Sequence, residues 1–125
     1  MANVILKFWA PVIFWMAMIF ILSSIPGEEI VRFEIPHIDK IIHFFEYAVL
    51  GLLLIRAFLN SHLNLNLTKM MILAIVVASL YALSDELHQR FVLYRTCDFF
   101  DLLADFIGLN IGIFIYKQRS WSCQS

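Results

Sequence analysis

Charge is scarce in this chain, and it is balanced where it occurs. Only 15% of the 125 residues are Asp, Glu, Lys or Arg, and the formal net charge is -1. A chain without a basic excess carries no electrostatic footprint for a phosphate backbone, so no nucleic-acid partner is expected. Cysteine is nearly missing as well: Cys97 and Cys123 are the only two, too few for a disulfide-stapled scaffold. With four glycines and three prolines there is no Gly/Ser-rich linker, and nothing repeats at a fixed period. A single domain over residues 1–125 is therefore expected.

What the chain has in abundance is apolar surface. Hydrophobic residues make up 62% of it, whereas soluble domains run near half apolar and a quarter charged. The surplus has to be covered, and lipid is the simplest cover because the apolar residues come in long blocks. Twelve Phe, three Trp and four Tyr supply material for aromatic belts at the membrane interfaces.

Four blocks follow one another, with approximate spans 8–27, 40–59, 68–88 and 98–117. The first, Phe8 to Gly27, carries no charged residue, and its about 20 residues make roughly 30 Å of helix, the thickness of a hydrocarbon core. It reads as a span rather than a cleavable signal, since Ser-Ser-Ile-Pro offers no small-x-small cleavage site. The second block holds His43, Glu46 and Arg56 in an otherwise apolar run. The third, Met70 to Ser84, is only about 15 residues and can cross only if the helix continues into Asp85, Glu86 and His88. The fourth contains Asp101 and Asp105 and gives way to Lys117 and Arg119. Between the second and third, Asn60 to Asn66 is a polar turn with Thr68 as the expected helix cap.

Alternating spans place both termini and the Asn60 to Asn66 turn on one side. Lys7, Arg56, Lys69, Lys117 and Arg119 lie there, against Arg32, Lys40, Arg90 and Arg95 opposite, while all acids lie on or toward that opposite side. The positive-inside rule then puts both termini in the cytoplasm and the acids at the outer face. In that topology Cys97 and Cys123 fall on opposite sides and cannot pair.

The ionisable residues share helix faces. Asp39, His43, Glu46, Tyr47 and Leu50 follow i, i+4, i+7 spacing on the second helix. Tyr81, Asp85, His88 and Gln89 form a stripe on the third, with Glu86 and Arg90 a quarter turn away. On the fourth helix Asp98, Asp101, Asp105, Gly108 and Gly112 share a face, the glycines in a G-x-x-x-G spacing that allows close approach and raises the possibility of a homo-oligomer. Counted from Lys117, Asp105 lies roughly 18 Å deep and Asp101 roughly 24 Å. An acid at the centre of a spanning helix costs about 3 kcal/mol, so Glu46, Asp85, Asp101 and Asp105 need partners, protons, water or a cation. The expected fold is all-α, an integral membrane four-helix bundle with a polar cluster at the outer face.

The cluster supports more than one chemistry. In the first reading Arg90 and Arg95 grip an anionic head group, of a membrane lipid or a lipid-linked precursor, and His43 or Glu46 accepts a proton. Asp85, Glu86 and Asp101 would orient these groups or a bound cation, while Asp39, Lys40, Tyr47, His88, Gln89, Asp98 and Asp105 complete the binding surface. In the second reading Glu46 and Asp105 carry protons through a small coupled transporter. In the third the charges only knit the helices of an accessory subunit together. A divalent ion is a further option, since His43 and Glu46 stand one turn apart beside Asp85, Glu86, His88, Asp98 and Asp101. No H-E-x-x-H is present, however, and the arginines could neutralise the acids alone. No cofactor is indicated. Ile30, Val31, Phe33, Ile35 and Ile38 in one flanking loop, and Phe91, Val92, Leu93 and Tyr94 in the other, are apolar enough to lie in the lipid interface and cap the cluster.

In order along the chain, Ser-Ser-Ile-Pro-Gly at 23–27, D-K-I-I-H-F-F-E-Y-A-V-L-G at 39–51, Y-A-L-S-D-E-L-H-Q-R-F at 81–91 and Y-R-T-C-D-F-F-D-L-L-A-D-F-I-G at 94–108 resemble the VanZ-like family of bacterial membrane proteins. The family's D-K-x-x-H-F-x-x-Y falls on Asp39, Lys40, His43, Phe44 and Tyr47, its D-E-x-x-Q on Asp85, Glu86 and Gln89, and its R-x-x-D-x-x-D on Arg95, Asp98 and Asp101. Leu93 and Tyr94 stand where relatives often carry Pro-Gly, and Asp105 stands where they often carry Asn. The resemblance implies a bacterial cytoplasmic-membrane protein, linked in the founding case to low-level teicoplanin resistance, and implies no particular reaction. The topology is directly testable. An impermeant maleimide applied to intact cells carrying the Cys123→Ser variant is expected to label Cys97; labelling only after the membrane is opened would invert the assignment.

Overall fold

The structure, a computed structural model, describes residues 3, 5–27 and 37–122, for the last two of these the backbone alone. Among the described residues the only regular elements are helices, and four are long and apolar enough to span a membrane. Helix α1 is Ile5–Ser23, α2 is Ile38–Leu59, α3 is Leu67–Gln89 and α4 is Phe99–Ser122. Their outward faces are apolar almost throughout: Ile13, Phe14, Phe45, Leu80, Phe106 and Phe114 are all exposed. Such a surface is stable only against acyl chains, and the molecule is a multi-pass membrane protein.

The helix boundaries follow local chemistry. The first turn of α1, Ile5–Trp9, is wound as a π-helix and passes into α-helix just before Pro11, which has no N–H to continue the ladder. The helix ends at Ser23 rather than near Gly27, because Pro26 disfavours helical backbone at Ile25 and the Ser24 amide turns back to the Phe20 and Ile21 carbonyls. The span therefore sits nearer the N-terminus than the apolar block suggested. Helix α3 is capped by Asn66, not Thr68: the Asn66 side chain accepts from the Lys69 amide at 2.9 Å. Helix α4 runs on past Tyr116 through Lys117 and Arg119. The expected interfacial loop Ile30 to Ile35, and Cys123, lie outside the described residues.

Helix α2 is the centre of the bundle and touches the other three. Its closest neighbour is α4, which runs parallel to it. A Cβ added at Gly108 would strike the Phe44 carbonyl, one at Gly112 the Ala48 carbonyl, and one at Gly51 the Leu109 carbonyl. The backbones thus meet directly, the close approach that small residues permit where lipid offers no hydrophobic drive. The G-x-x-x-G pair is used up inside one chain and lends no support to a homo-oligomer. Helix α3 presents the buried stripe Ala74, Ala78 and Ala82 to the core. Helix α1 is docked by polar handles: Trp9 Nε1 donates to Ser61 Oγ at 2.8 Å, Trp15 Nε1 to the Glu46 carbonyl at 2.8 Å, and Tyr81 Oη to the Met16 carbonyl at 2.6 Å.

The remaining core, Leu50, Leu54, Ile55, Phe58, Leu109 and Ile113 with Val12 and Ile19 of α1, is apolar. All the buried ionisable side chains lie at the end where α2 and α4 begin and α3 ends. Because the α2–α4 seam has no room for a side chain, Gly112→Leu is expected to destabilise the bundle by about 1–3 kcal/mol or more. Thermal unfolding in detergent should read this as a clear fall in Tm, whereas Gly→Leu on a lipid-facing position would leave Tm nearly unchanged.

Candidate functional site

The glycine seam continues upward into paired charges. One and two turns above Gly108, α2 and α4 offer Lys40 with Asp101 and His43 with Asp105, in the same parallel register. Lys40 Nζ donates to Asp101 Oδ1 at 2.9 Å, to Asp98 Oδ2 at 3.0 Å and to Asp39 Oδ2 at 3.3 Å. Asp101 is buried, while Asp39 and Asp98 form the half-exposed rim. The Phe100 amide, at 3.0 Å, and Lys40 hold the Asp98 carboxyl below the usual carboxylate range. One turn deeper His43 Nδ1 lies 2.9 Å from Asp105 Oδ1, with the two side chains 3% and 0% exposed. Asp105, a departure from the Asn often found in relatives, is the partner of the buried imidazole.

Helix α3 closes the other side. Its buried face is Ala82, Asp85, Glu86 and Gln89. The expected stripe runs through His88 with Glu86 a quarter turn away; the structure buries Glu86 in place of His88. His88 turns away, bonding Ser24 Oγ at 2.9 Å and stacking on Phe20 with ring centroids 4.5 Å apart. Arg90, the other arm of the expected two-arginine fork, is exposed.

Arg95 does reach the cluster, but by tying the loop to α1. Its Nε donates to the Ile25 carbonyl at 3.2 Å, Nη2 to the Leu22 carbonyl at 3.2 Å and Nη1 to Gln89 Oε1 at 3.5 Å. Arginine only donates, so Gln89 is oriented with its oxygen toward the guanidinium and its amide toward His43 Nε2, 3.3 Å away. That leaves the His43 proton on Nδ1, where it is donated to Asp105. The same loop holds Tyr94 at φ 59°, the left-handed conformation that the Gly of a Pro-Gly pair adopts freely. The turn survives the departure, and the Gly27 amide donates to the Leu93 carbonyl at 3.2 Å. Exposed Phe91, Leu93 and Tyr94 flank this end of the bundle.

Several buried oxygens find no partner among the described residues: Glu46 Oε1, both oxygens of Asp85, Glu86 Oε1, Asp105 Oδ2 and the Tyr47 hydroxyl. Asp85 lies beside Ser23, yet neither group closes a good hydrogen bond. The second Glu86 oxygen accepts from the Asp98 amide at 3.2 Å. Between α1, α2, α3 and the loop is a cavity of about 340 Å³ lined by Leu22, Ser23, Ile25, Asp39, Ile42, His43, Glu46, Gln89 and Arg95. It is large enough for a phosphate-sized group, and its lining mixes apolar Leu22, Ile25 and Ile42 with the polar residues. Sequence reasoning did not place Ser23 in the site, although it opens the Ser-Ser-Ile-Pro-Gly segment that carries the first part of the family resemblance.

The fold and this end of the bundle define a helical multi-pass membrane protein with a buried polar cluster. The profile of the VanZ/LLP1 family matches residues 8–121, and the chain belongs to that family. An uncharacterised protein of Schizosaccharomyces pombe is 30% identical over 89 residues, covering 68% of this chain and 52% of that protein. The chain thus spans about half the length of the curated relative it matches. No solved structure matches.

The Lys40 knot has a measurable strength. Lys40→Met leaves Asp101 buried without a countercharge and is expected to cost about 2–3 kcal/mol, somewhat less than a fully buried pair because Lys40 is partly hydrated. Adding Asp101→Asn should recover most of the loss in Tm; a double variant no more stable than Lys40→Met would contradict the pairing.

Proposed function

We propose that this VanZ-family protein binds an anionic lipid, or a lipid-linked cell-envelope precursor, through its head group and acts on it at the outer leaflet of a bacterial cytoplasmic membrane, with both termini in the cytoplasm. The observation that carries this reading is the cavity at one end of the bundle, where apolar Leu22, Ile25 and Ile42 meet His43, Glu46 and Arg95. Three of the five guanidinium N–H groups of Arg95 are engaged, by contacts of 3.2–3.5 Å, so two donors are left for a phosphate or carboxylate. His43, held by Asp105 and Gln89, is the general base, and Glu46 and Asp85 are further proton acceptors at the cavity wall and behind it. An apolar groove of about 320 Å³ between α3 and α4, lined by residues such as Leu83, Phe99, Leu103 and Phe106, suits an acyl chain. Action on such a precursor would provide a route to the glycopeptide phenotype of the founding relative.

A carrier reading receives less support. The buried ionisable groups stop at one end, and the apolar core from Leu50 to Ile113 stands between them and the opposite face, so among the described residues no polar path crosses the bundle. Native mass spectrometry of gently extracted protein tests the proposal. Wild type is expected to retain lipid, and His43→Ala, Asp85→Asn and Arg95→Ala should each lower retention about tenfold while the protein still inserts. Undiminished retention in all three folded variants would defeat it.

A further inference from the structure

We infer that His43, Glu86 and Asp105 form a binding site for one divalent transition-metal ion of the Mn2+ or Zn2+ type, set within the bundle beneath the cavity. Each of the three side chains is buried, and each offers a ligand atom such that all three atoms lie within 4.8 Å of one another. Around an ion with bonds of about 2.1 Å, donors at right angles stand about 3.0 Å apart and opposed donors about 4.2 Å. The His43 to Asp105 separation of 2.9 Å is already of this size, and small rotations of Glu86 complete the triad.

An acidic cluster alone would not carry this assignment. A second, independent observation points to a missing ligand: Glu86 Oε1 and Asp105 Oδ2 belong to side chains 3% and 0% exposed and have no hydrogen-bond partner, as have both oxygens of neighbouring Asp85. A buried carboxylate oxygen without a partner is costly. Among the described residues Glu46, Asp85 and Glu86 have no Lys, Arg or His nitrogen within 4.0 Å, because Lys40 is committed to Asp39, Asp98 and Asp101, and Arg95 to backbone carbonyls and Gln89. A dication supplies the charge that these acids lack.

The donor set narrows the ion. One imidazole nitrogen with carboxylate oxygens suits Mn2+, Fe2+ or Zn2+; an all-oxygen set would favour Mg2+ or Ca2+, and the Cys97 thiol, which lies beside Glu86, is not one of the three ligands. When the ion binds, the proton shared between His43 and Asp105 leaves to water and the ion takes its place. Three protein ligands leave coordination positions open to water or to an oxygen of an anionic group. The assignment does not depend on the lipid reading above; with the ion bound His43 is a ligand, and the proton-accepting role passes to Glu46 or Asp85.

The test uses purified full-length protein in lipid nanodiscs, stripped with chelator and titrated with MnCl2 without added lipid ligand. Wild type is expected to retain about one Mn2+ per chain after desalting. Glu86→Gln and Asp105→Asn should bind at least tenfold more weakly, and His88→Ala, whose ring faces α1, should bind like wild type. Electron paramagnetic resonance of the wild-type complex is expected to show hyperfine coupling to one imidazole nitrogen, a readout that needs no variant to fold. Failure to retain the ion, affinity unchanged by both carboxylate substitutions, or absence of nitrogen coupling would each overturn the site. Lipid retention by the chelated wild type, measured separately, distinguishes failure of the metal site from failure of head-group binding.

Discussion

Backbone contact between two parallel helices governs the rest of this molecule. Gly51, Gly108 and Gly112 let α2 and α4 approach until carbonyls meet the space that a Cβ would fill. At that spacing, side chains one and two turns further along cannot avoid one another. Lys40 therefore meets Asp101, and His43 meets Asp105, at hydrogen-bonding distance. Bulkier residues on the seam would separate the helices and leave each of these groups facing a neighbour out of reach, at a cost of several kcal/mol per uncompensated charge.

The two pairs differ in how far water helps them. Lys40 lies at the rim with two partly exposed carboxylates and one buried one, so its network is a graded transition from solvent to interior. Asp105 is fully buried, and His43 meets only the cavity. Below them the bundle is apolar, and beside them Asp85, Glu86 and Glu46 add further acid without adding base. This surplus leaves more acid than base among the described buried residues of the cluster.

The third constraint is the connection between α3 and α4. Arg95 uses its planar fork to hold the carbonyls at the end of α1, which an ordinary helix end would leave to water or a cap. The same guanidinium fixes Gln89, and through it the tautomer of His43. Tyr94 accepts a left-handed backbone at a cost of roughly 1–2 kcal/mol to keep this loop in place. The loop is thus coupled to the imidazole through two side chains, and a change of contacts at α1 would reach His43 without any movement of α2.

How much of this was readable in the chain depends on the range of the interaction. Apolar block length alone determined four spanning helices, because a hydrocarbon core about 30 Å thick admits few alternatives. The spacing of His43, Glu46, Asp85, Asp101 and Asp105 also determined that these residues gather at one end, since helical period and alternating direction leave them at one level. The motif order determined the family. On α3 the expected stripe runs through Asp85, His88 and Gln89 with Glu86 a quarter turn away; packing of the helix against the core along Ala78 and Ala82 turns Glu86 inward and sends His88 to Phe20. The cap at Asn66 in place of Thr68 and the use of Gly108 and Gly112 within one chain were likewise decided only in three dimensions. Each depends on which neighbour arrives at a given surface, and periodicity along one helix holds no record of that.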